Sequence, residues 1–187
     1  MASEKLSFVA KNTADKKLLN QIHIEWKRNQ FIASRHLLYN YLNVEDIYYS
    51  ENGKPYSKGL FISNSHSHEY VAVIGSKSHL VGIDIQKYDN KVERIKSKFL
   101  HEEEAIFEKN IEWLSMAWGL KESIYKINGS PSVFFKEHIR LKSVSEVSPK
   151  KFLIEADILL KEYKSTYVMK AYMEEDYCLA FGPVFQK

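Results

Sequence analysis

The sequence predicts an α+β protein in which long helices pack on antiparallel strands. Segments with the apolar repeat of a helix alternate along the chain with short apolar runs typical of buried strands. Aromatic residues make up 13% of the 187 residues, which favours a packed, strand-rich protein over a disordered one. A long helix accompanied by strands occurs in residues 1–79 and again in residues 80–187. We therefore predict two similar subdomains, each a long helix packed on antiparallel strands.

In the N-terminal half, apolar residues at helical spacing predict one long helix over residues 15–42. A turn is indicated at residues 52–55, where Asn-Gly is followed by Lys-Pro. The apolar run 70–74 predicts a buried strand, and residues 80–85 predict a second one. Because a short Gly-Ser turn separates these two strands, we expect them to pair as a hairpin.

In the C-terminal half, residues 92–109 are predicted to be helical with a break near Phe99. A strong helical pattern with an apolar stripe covers residues 111–128, and Gly129 and Pro131 end it. Strands are predicted after this helix, at residues 151–156, 158–160, 166–173 and 178–181.

Composition and charge restrict the classes of function. The net charge of +3 fits either an ordinary solvated surface or attraction to an acidic partner or a polyphosphate, and charge alone does not separate the two. The sequence has no nucleic-acid-binding motif, no apolar run as long as a membrane span and no secretion signal. We expect a cytoplasmic protein. The single cysteine, Cys178, lies in an apolar run and is predicted to pack in the core rather than react.

The first candidate for chemistry is Asp84, in the predicted strand 80–85. Alternation along a strand places Asp84 on one face with Gly82 and Gln86, while the opposite face is apolar. Such an acid is either exposed at the edge of a sheet or, if it is buried, in need of a partner. The glycine at position 82 leaves room for another group to approach the strand.

The helix 111–128 carries charged residues on an otherwise apolar surface. Trp118, Glu122 and Lys126 recur at i, i+4 and i+8 and form one stripe. Glu122 and Lys126 fit an ordinary surface ion pair, but on so apolar a helix the stripe also fits the wall of a cleft.

Ser65 and His66 precede the strand 70–74 and form either a polar loop or a set of donors for phosphate. Considered together with Asp84 and Glu122, these residues favour a binding site over a polar loop. The two hard carboxylate oxygens suit magnesium better than zinc. Together these side chains indicate a site for a magnesium ion and a phosphate. Further positive charge for phosphate is available at Lys126, Lys54, Arg28 and Arg35.

These residues occur in an order that resembles one enzyme family. Gly53-Lys54-Pro55 and Ser65-His66-Ser67 are followed by Gly82-Ile83-Asp84 and by Trp118-x-x-Lys121-Glu122-Ser123-x-x-Lys126. The four motifs resemble those of the 4'-phosphopantetheinyl transferase superfamily, in its longer, surfactin-synthetase-activating class. The resemblance covers residues 53–126, and its helix motif is specific. Gln86 departs from the family pattern, which often has Glu at that position.

The resemblance implies transfer of the 4'-phosphopantetheine moiety from coenzyme A to a serine of an acyl or peptidyl carrier protein, with Mg²⁺ as cofactor and 3',5'-ADP as leaving group. It also implies a pseudo-twofold monomer with its active site in the cleft between the halves. Asp84 and Glu122 would hold the metal, with Gln86 as a weaker ligand that water can replace. Lys126 would stabilise the transferred phosphoryl group. The residues implied in coenzyme A binding are Lys54, Ser65, His66 and Lys121, with Arg28 and Arg35 as helpers.

The general base stays open between Glu122, a metal-bound water or hydroxide, and Glu104. Glu104 is a candidate because the resembling family has a Glu there, although acidic residues are also common in the first turn of a helix. Two other classes of function fit parts of the pattern. One is a Mg²⁺-dependent hydrolase of nucleotides or phosphoesters, and the other is a non-catalytic coenzyme A or carrier-binding module, which Gln86 would favour. The sequence does not specify whether the carrier serves fatty acid, polyketide or nonribosomal peptide synthesis.

Overall fold

Two antiparallel sheets with helices packed on them form the part of the chain that the computed structural model describes, residues 13–161 and 163–184. The predicted α+β class is therefore confirmed. The helices are α1 Thr13–Gln21, α2 Glu25–Tyr41, α3 Lys91–Phe99, a 3-10 helix Glu102–Glu108, α4 Ile111–Asn128 and α5 Phe135–His138. The strands are β1 Tyr48–Tyr49, β2 Pro55–Ser57, β3 Leu60–Ser67, β4 Tyr70–Ser76, β5 Gly82–Lys87, β6 Ile139–Ser148, β7 Lys151–Leu160, β8 Tyr163–Met173 and β9 Tyr177–Gly182.

The first sheet has the strand order β1-β2-β3-β4, and α2 packs against it. Leu38, Tyr39, Val44 and Ile62 form the buried core between them. The predicted single helix over residues 15–42 is wrong, because α1 ends at Gln21 and α2 begins at Glu25. The backbone is extended at Ile24, which interrupts the helical hydrogen bonds although the apolar spacing continues across the break.

The predicted hairpin between residues 70–74 and 80–85 is also wrong. β4 pairs with β3, and β5 pairs with β9 in the second sheet. The segment before β4, for which a polar loop was one of the two alternatives, forms the strand β3. Its serines lie against β5, where the backbone N–H of Ile83 donates to Ser63 Oγ (3.3 Å) and that of Lys87 donates to Ser67 Oγ (3.1 Å). Side chains of β3 thus join the two sheets.

The second sheet has the strand order β5-β9-β8-β7-β6, and α4 covers one of its faces. The bounds predicted for α4 are confirmed, with Asn110 capping its first turn and Gly129 ending it in the left-handed conformation (φ 72°). The predicted break between α3 and the next helical segment occurs at Leu100. Cys178 is buried in this core, and burial raises the pKa of its thiol, as its predicted packing role requires.

β5 and α4 approach each other unusually closely. A Cβ atom on Gly82 would overlap the carbonyl oxygen of Ser123 and lie 3.0 Å from Cγ1 of Ile127. Ser123 also donates a hydrogen bond through its Oγ to the carbonyl of Ala180 on β9 (2.9 Å). The space that the sequence assigned to an approaching group at Gly82 is therefore occupied by the backbone of α4. Over the described ranges, no helix is long and apolar enough to cross a membrane.

We expect Gly82→Ala to lower the free energy of unfolding by about 2–3 kcal/mol, the upper range for an overpacked site, because the added methyl meets a backbone carbonyl that cannot rotate away. Gly75→Ala on β4 is the matched control, since its methyl would reach only side-chain atoms of Leu42 and Leu60, at 3.2 Å and beyond. Urea unfolding followed by tryptophan fluorescence measures both. Equal unfolding midpoints for the two variants would contradict the packing argument.

Candidate active site

The site lies where β5 meets α4, and Asp84 is at its centre. Asp84 is only 6% exposed. Its Oδ1 accepts hydrogen bonds from Ser65 Oγ (2.6 Å) and from Lys126 Nζ (2.8 Å), and Lys126 also donates to the carbonyl of Ile83 (2.9 Å). Of the two alternatives that the sequence left open for Asp84, the structure shows the buried acid, with one partner from β3 and one from α4.

The second oxygen of Asp84, Oδ2, is buried and has no hydrogen-bond partner among the described residues. A Cβ on Gly119 would lie 3.6 Å from this oxygen, an ordinary van der Waals distance, so Oδ2 lies against the surface of α4 at this residue. A buried carboxylate oxygen without a donor is costly, because it has lost water and gained nothing in return. This orphaned oxygen is therefore the atom of the site where a bound cation or hydrogen-bond donor would be most favourable.

Glu122 follows Gly119 by nearly one turn of α4 and is half-buried. Burial raises the pKa of its carboxyl group, and the negative charge of Asp84 raises that pKa further, whereas Lys126 lowers it. Lys126 pairs with Asp84, and no salt bridge to Glu122 is formed within residues 13–161 and 163–184. The expected surface pair between Glu122 and Lys126 is therefore not the arrangement adopted.

Two neighbouring carboxylates, one with an orphaned oxygen, fit a hard divalent cation. Among the residues that the structure describes, no group of three His, Cys, Asp or Glu side chains is arranged for a metal. Mg²⁺ is commonly held by one or two carboxylates together with water and substrate phosphates, so Asp84 and Glu122 are a sufficient protein contribution. Gln86 shows no bond to Asp84. Its Nε2 donates to the carbonyl of Lys87 (3.0 Å), and its side chain lines a small cavity beside Trp118.

A cavity of about 330 Å³ opens beside Lys126. The turn that carries Lys54 forms one wall, and Asn64 and Tyr125 contribute to the others. Lys54 Nζ donates to the carbonyl of Ile127 in the last turn of α4 (2.7 Å), and burial lowers the pKa of this lysine. Two lysines therefore line one cavity, and one of them, Lys126, also bonds to Asp84, which is a suitable arrangement for binding phosphate.

Ser65 and His66 point to opposite sides of β3, as strand alternation requires. Ser65 is buried against Asp84, whereas His66 is exposed and lines a wider groove of about 910 Å³ together with Trp26 and Gln30. Lys54 and His66, both predicted to bind coenzyme A, consequently line different cavities.

Arg28 and Arg35 are not brought to the site. Arg28 Nη1 donates to the carbonyl of Leu19 (2.6 Å), near the C-terminal end of α1. Arg35 is buried, with its Nε 3.0 Å from Asp15 Oδ1 and its Nη2 donating to Tyr49 (2.7 Å). Both guanidinium groups hold α1 against its neighbours, so their predicted role as helpers in phosphate binding is not supported.

Lys121 and Glu104 form a second buried pair, separate from the site. Each is 0% exposed, and Lys121 Nζ lies 2.7 Å from Glu104 Oε2. Glu104 also accepts from the backbone N–H groups of His101 (2.8 Å) and Leu141 (2.7 Å), while Lys121 donates to the carbonyls of Phe99 and Ile139. Burial lowers the pKa of Lys121 to about 8. The structure thus gives both residues a structural role instead of the predicted catalytic and coenzyme-binding roles.

A sequence signal for this second pair was present. Lys121 lies four residues after Ala117 and seven after Leu114, which places it in the buried stripe of α4, whereas Glu122 is rotated about 100° away. The cavity residues Asn64 and Tyr125 had no comparable signal, since neither carries a charge and Tyr125 occupies an unspecified position of the helix motif.

Comparison with known proteins adds no assignment to this geometry. No family model matches the chain, and no curated protein is similar enough to count as a relative.

We expect Glu122→Gln to raise the melting temperature of the metal-free protein at pH 7 by a few degrees, which corresponds to about 1 kcal/mol in a protein of this length. Because the folded state raises the pKa of Glu122, the folded protein holds this proton to higher pH than the unfolded chain does, and ionisation above that pKa costs stability. The gain should shrink as the pH falls and disappear below about 4.3, where the carboxyl group becomes protonated in both states. Differential scanning fluorimetry across this range, in chelator, measures the effect.

The exposed Glu155→Gln on β7 is the control and should leave the melting temperature unchanged. A loss of stability in Glu122→Gln at pH 7, or a gain independent of pH, would contradict the electrostatic description of the site.

Proposed function

We propose that this protein transfers the 4'-phosphopantetheine moiety of coenzyme A to a serine of an apo carrier protein, with Mg²⁺ as cofactor. The observation that carries the proposal is the convergence of Asp84, Glu122 and Lys126 at the contact between β5 and α4, beside a cavity lined by a second lysine. These are the residues on which the sequence resembles the phosphopantetheinyl transferases. Geometry and resemblance therefore support the same reaction.

Asp84 and Glu122 would hold the Mg²⁺ ion through Oδ2 of Asp84 and the carboxylate of Glu122. When bound, the ion supplies positive charge that offsets the negative charge developing on the pyrophosphate oxygens. The raised pKa of Glu122 and the unpaired oxygen of Asp84 support this assignment, because a cation would favour the ionised form of Glu122 and give Oδ2 of Asp84 a partner.

Lys126 contributes a positioned donor. Its ammonium group has three N–H donors, of which two are engaged by Asp84 and Ile83, and its side chain faces the cavity. The remaining donor is available to an oxygen of the phosphoryl group being transferred. Lys54, which lines the same cavity, supplies charge for the phosphates of the nucleotide.

In the transfer, the carrier serine oxygen bonds to the phosphorus that bears the pantetheine arm. The bond from that phosphorus to the bridging pyrophosphate oxygen breaks, and 3',5'-ADP leaves with the bonding electron pair. The serine proton passes to the carboxylate of Glu122, a half-buried acid beside Asp84. Glu104 does not fit this role, because it is fully buried and its two oxygens already accept three hydrogen bonds.

The surface beside the site suits an acidic carrier. The helix α3 exposes Lys91, Arg94 and Lys98, and its first residue lines the small cavity that contains Gln86. Carrier proteins present their serine in an acidic helical domain, so attraction to α3 would bring that serine toward the site.

We also propose that residues 1–79 and 80–187 are pseudo-twofold halves of one monomer with the site in the cleft between them. Two features support this arrangement. Each half packs a long helix, α2 or α4, against an antiparallel sheet. The carboxylate of Asp84 also receives hydrogen bonds from both halves, through Ser65 and Lys126.

The test of the function is mass spectrometry of a panel of apo carriers incubated with coenzyme A, Mg²⁺ and the protein. We expect one or more carriers to gain the mass of the arm, and Asp84→Asn and Glu122→Gln to lose about 100-fold in rate, the upper range for changes around a metal ion. Asp157→Asn is the control, because Asp157 is equally buried but is bonded to Thr166 on the distant strand β8.

Three outcomes would replace this proposal. If no carrier is modified while coenzyme A is cleaved, the protein is a hydrolase. If coenzyme A binds and is not cleaved, the protein is a binding module. If the Asp84 and Glu122 variants transfer as fast as the Asp157 variant, the reaction takes place elsewhere.

We expect Lys54→Met to raise KM for coenzyme A by about tenfold and to change kcat much less, since Lys54 faces the cavity but lies outside the reacting carboxylate pair. Lys58→Met, an exposed lysine in the following turn, is the control and should leave KM unchanged. His66→Gln, measured in parallel, tests the wider groove. A raised KM in the His66 variant alone would indicate that the nucleotide binds in that groove and not in the cavity.

A further inference from the structure

The strand β3 carries a row of serines that face β5. Ser63, Ser65 and Ser67 alternate along the strand, and each makes one hydrogen bond across the junction of the two sheets. The outer two accept from backbone N–H groups, of Ile83 and Lys87, and so fix the position of the β5 backbone. The central serine is different, because it bonds to a side chain.

From this difference we infer that Ser65 is a positioning residue for the carboxylate of Asp84, holding it in the orientation in which it receives the cation. The inference rests on the proposed function, in which Asp84 is a metal ligand. Ser65 is 7% exposed, and its Oγ lies 2.6 Å from Asp84 Oδ1, a short hydrogen bond of the kind formed with a charged acceptor.

The chemistry of a hydroxyl group separates this role from phosphate binding. A serine hydroxyl has a single proton, and that proton is engaged by Asp84, since a carboxylate can only accept. Ser65 therefore has no donor left for a phosphate oxygen while the bond to Asp84 is made. The role that the resemblance implies for Ser65, direct binding of the nucleotide phosphates, does not fit this geometry.

The bond also determines which oxygen of Asp84 stays open. Ser65 and Lys126 both donate to Oδ1, which fixes the rotation of the carboxylate and leaves Oδ2 against α4 at Gly119, nearly one turn before Glu122. Groups that orient a metal ligand commonly change metal affinity by about 10–100-fold when they are removed. Without Ser65, only Lys126 would orient the carboxylate, and Lys126 is required for phosphate.

The test compares Ser65→Ala with Ser67→Ala, which removes a bond of the same row without touching Asp84. Manganese is the probe, and electron paramagnetic resonance of free Mn²⁺ gives the dissociation constant of the purified protein without coenzyme A. We expect Ser65→Ala to weaken Mn²⁺ binding by about tenfold or more, and Ser67→Ala to stay within about twofold of wild type, inside the scatter of neutral substitutions. Ser65→Thr keeps the hydroxyl group and should restore the wild-type affinity.

Transfer kinetics provide the second measurement. At saturating Mg²⁺, Ser65→Ala should keep the wild-type KM for coenzyme A, whereas the concentration of Mg²⁺ that gives half the maximal rate should rise. Unchanged Mn²⁺ affinity in Ser65→Ala, or an equal loss in Ser67→Ala, would overturn the inference. So would a raised KM for coenzyme A together with normal Mn²⁺ affinity, because that pattern is phosphate binding. If wild-type protein binds Mn²⁺ but modifies no carrier, the proposed function fails while the comparison of the serine variants stands.

Discussion

The close contact between β5 and α4 is the constraint on which the rest of this molecule depends. It requires a residue without a side chain at Gly82, where the backbone of α4 fills the space of a Cβ atom. Gly119 lies on the facing side of the helix, where a Cβ atom would be 3.3 Å from Cβ of Ala180 and 3.6 Å from Oδ2 of Asp84. Because two backbones meet there, an acid from the strand and a lysine from the helix come within hydrogen-bond distance although both are largely withdrawn from water. Their attraction is strong in such surroundings, and so is the cost of leaving either group unpaired.

The helix α4 contributes to two clusters of charged side chains, and these clusters differ in how many of their polar atoms have hydrogen-bond partners. On one side, Lys121 and Glu104 meet each other and several backbone groups, which makes a closed network that stabilises the fold. On the adjacent side, Glu122 carries a raised pKa and Asp84 keeps an orphaned oxygen. A fold under selection for stability alone would have little reason to keep the second arrangement, because incomplete polar networks are destabilising. The incomplete network is therefore the better candidate for function.

The sequence predicted what is local and missed what depends on distant partners. The bounds of α4 followed from its apolar stripe and from the residues Gly129 and Pro131 that end it, and all of these signals are local in the sequence. The pairing of β5 with β9 could not be predicted in this way, since the two strands are far apart in the chain and a Gly-Ser turn made a hairpin with β4 the simpler solution. The charged residues divide along the same line. Asp84, Glu122 and Lys126 were recognised as a group, whereas Arg35 is tied to Asp15 by a contact that no spacing rule predicts.

The charge balance around Lys126 links the two ligands of the proposed reaction. In the free protein Lys126 is the cation that compensates Asp84, with two of its three donors directed to β5. When its third donor bonds to a phosphoryl oxygen, Lys126 shares its positive charge with the phosphate, and less of that charge compensates the neighbouring acids Asp84 and Glu122. The divalent cation would compensate the negative charge of the phosphate, and the phosphate would compensate the positive charge of the cation. The free energies of binding the two are therefore coupled, and each is expected to bind more tightly when the other is present. In the proposed reaction an additional carboxylate at Gln86 would not be required, because the phosphates of the substrate would complete the surroundings of the ion.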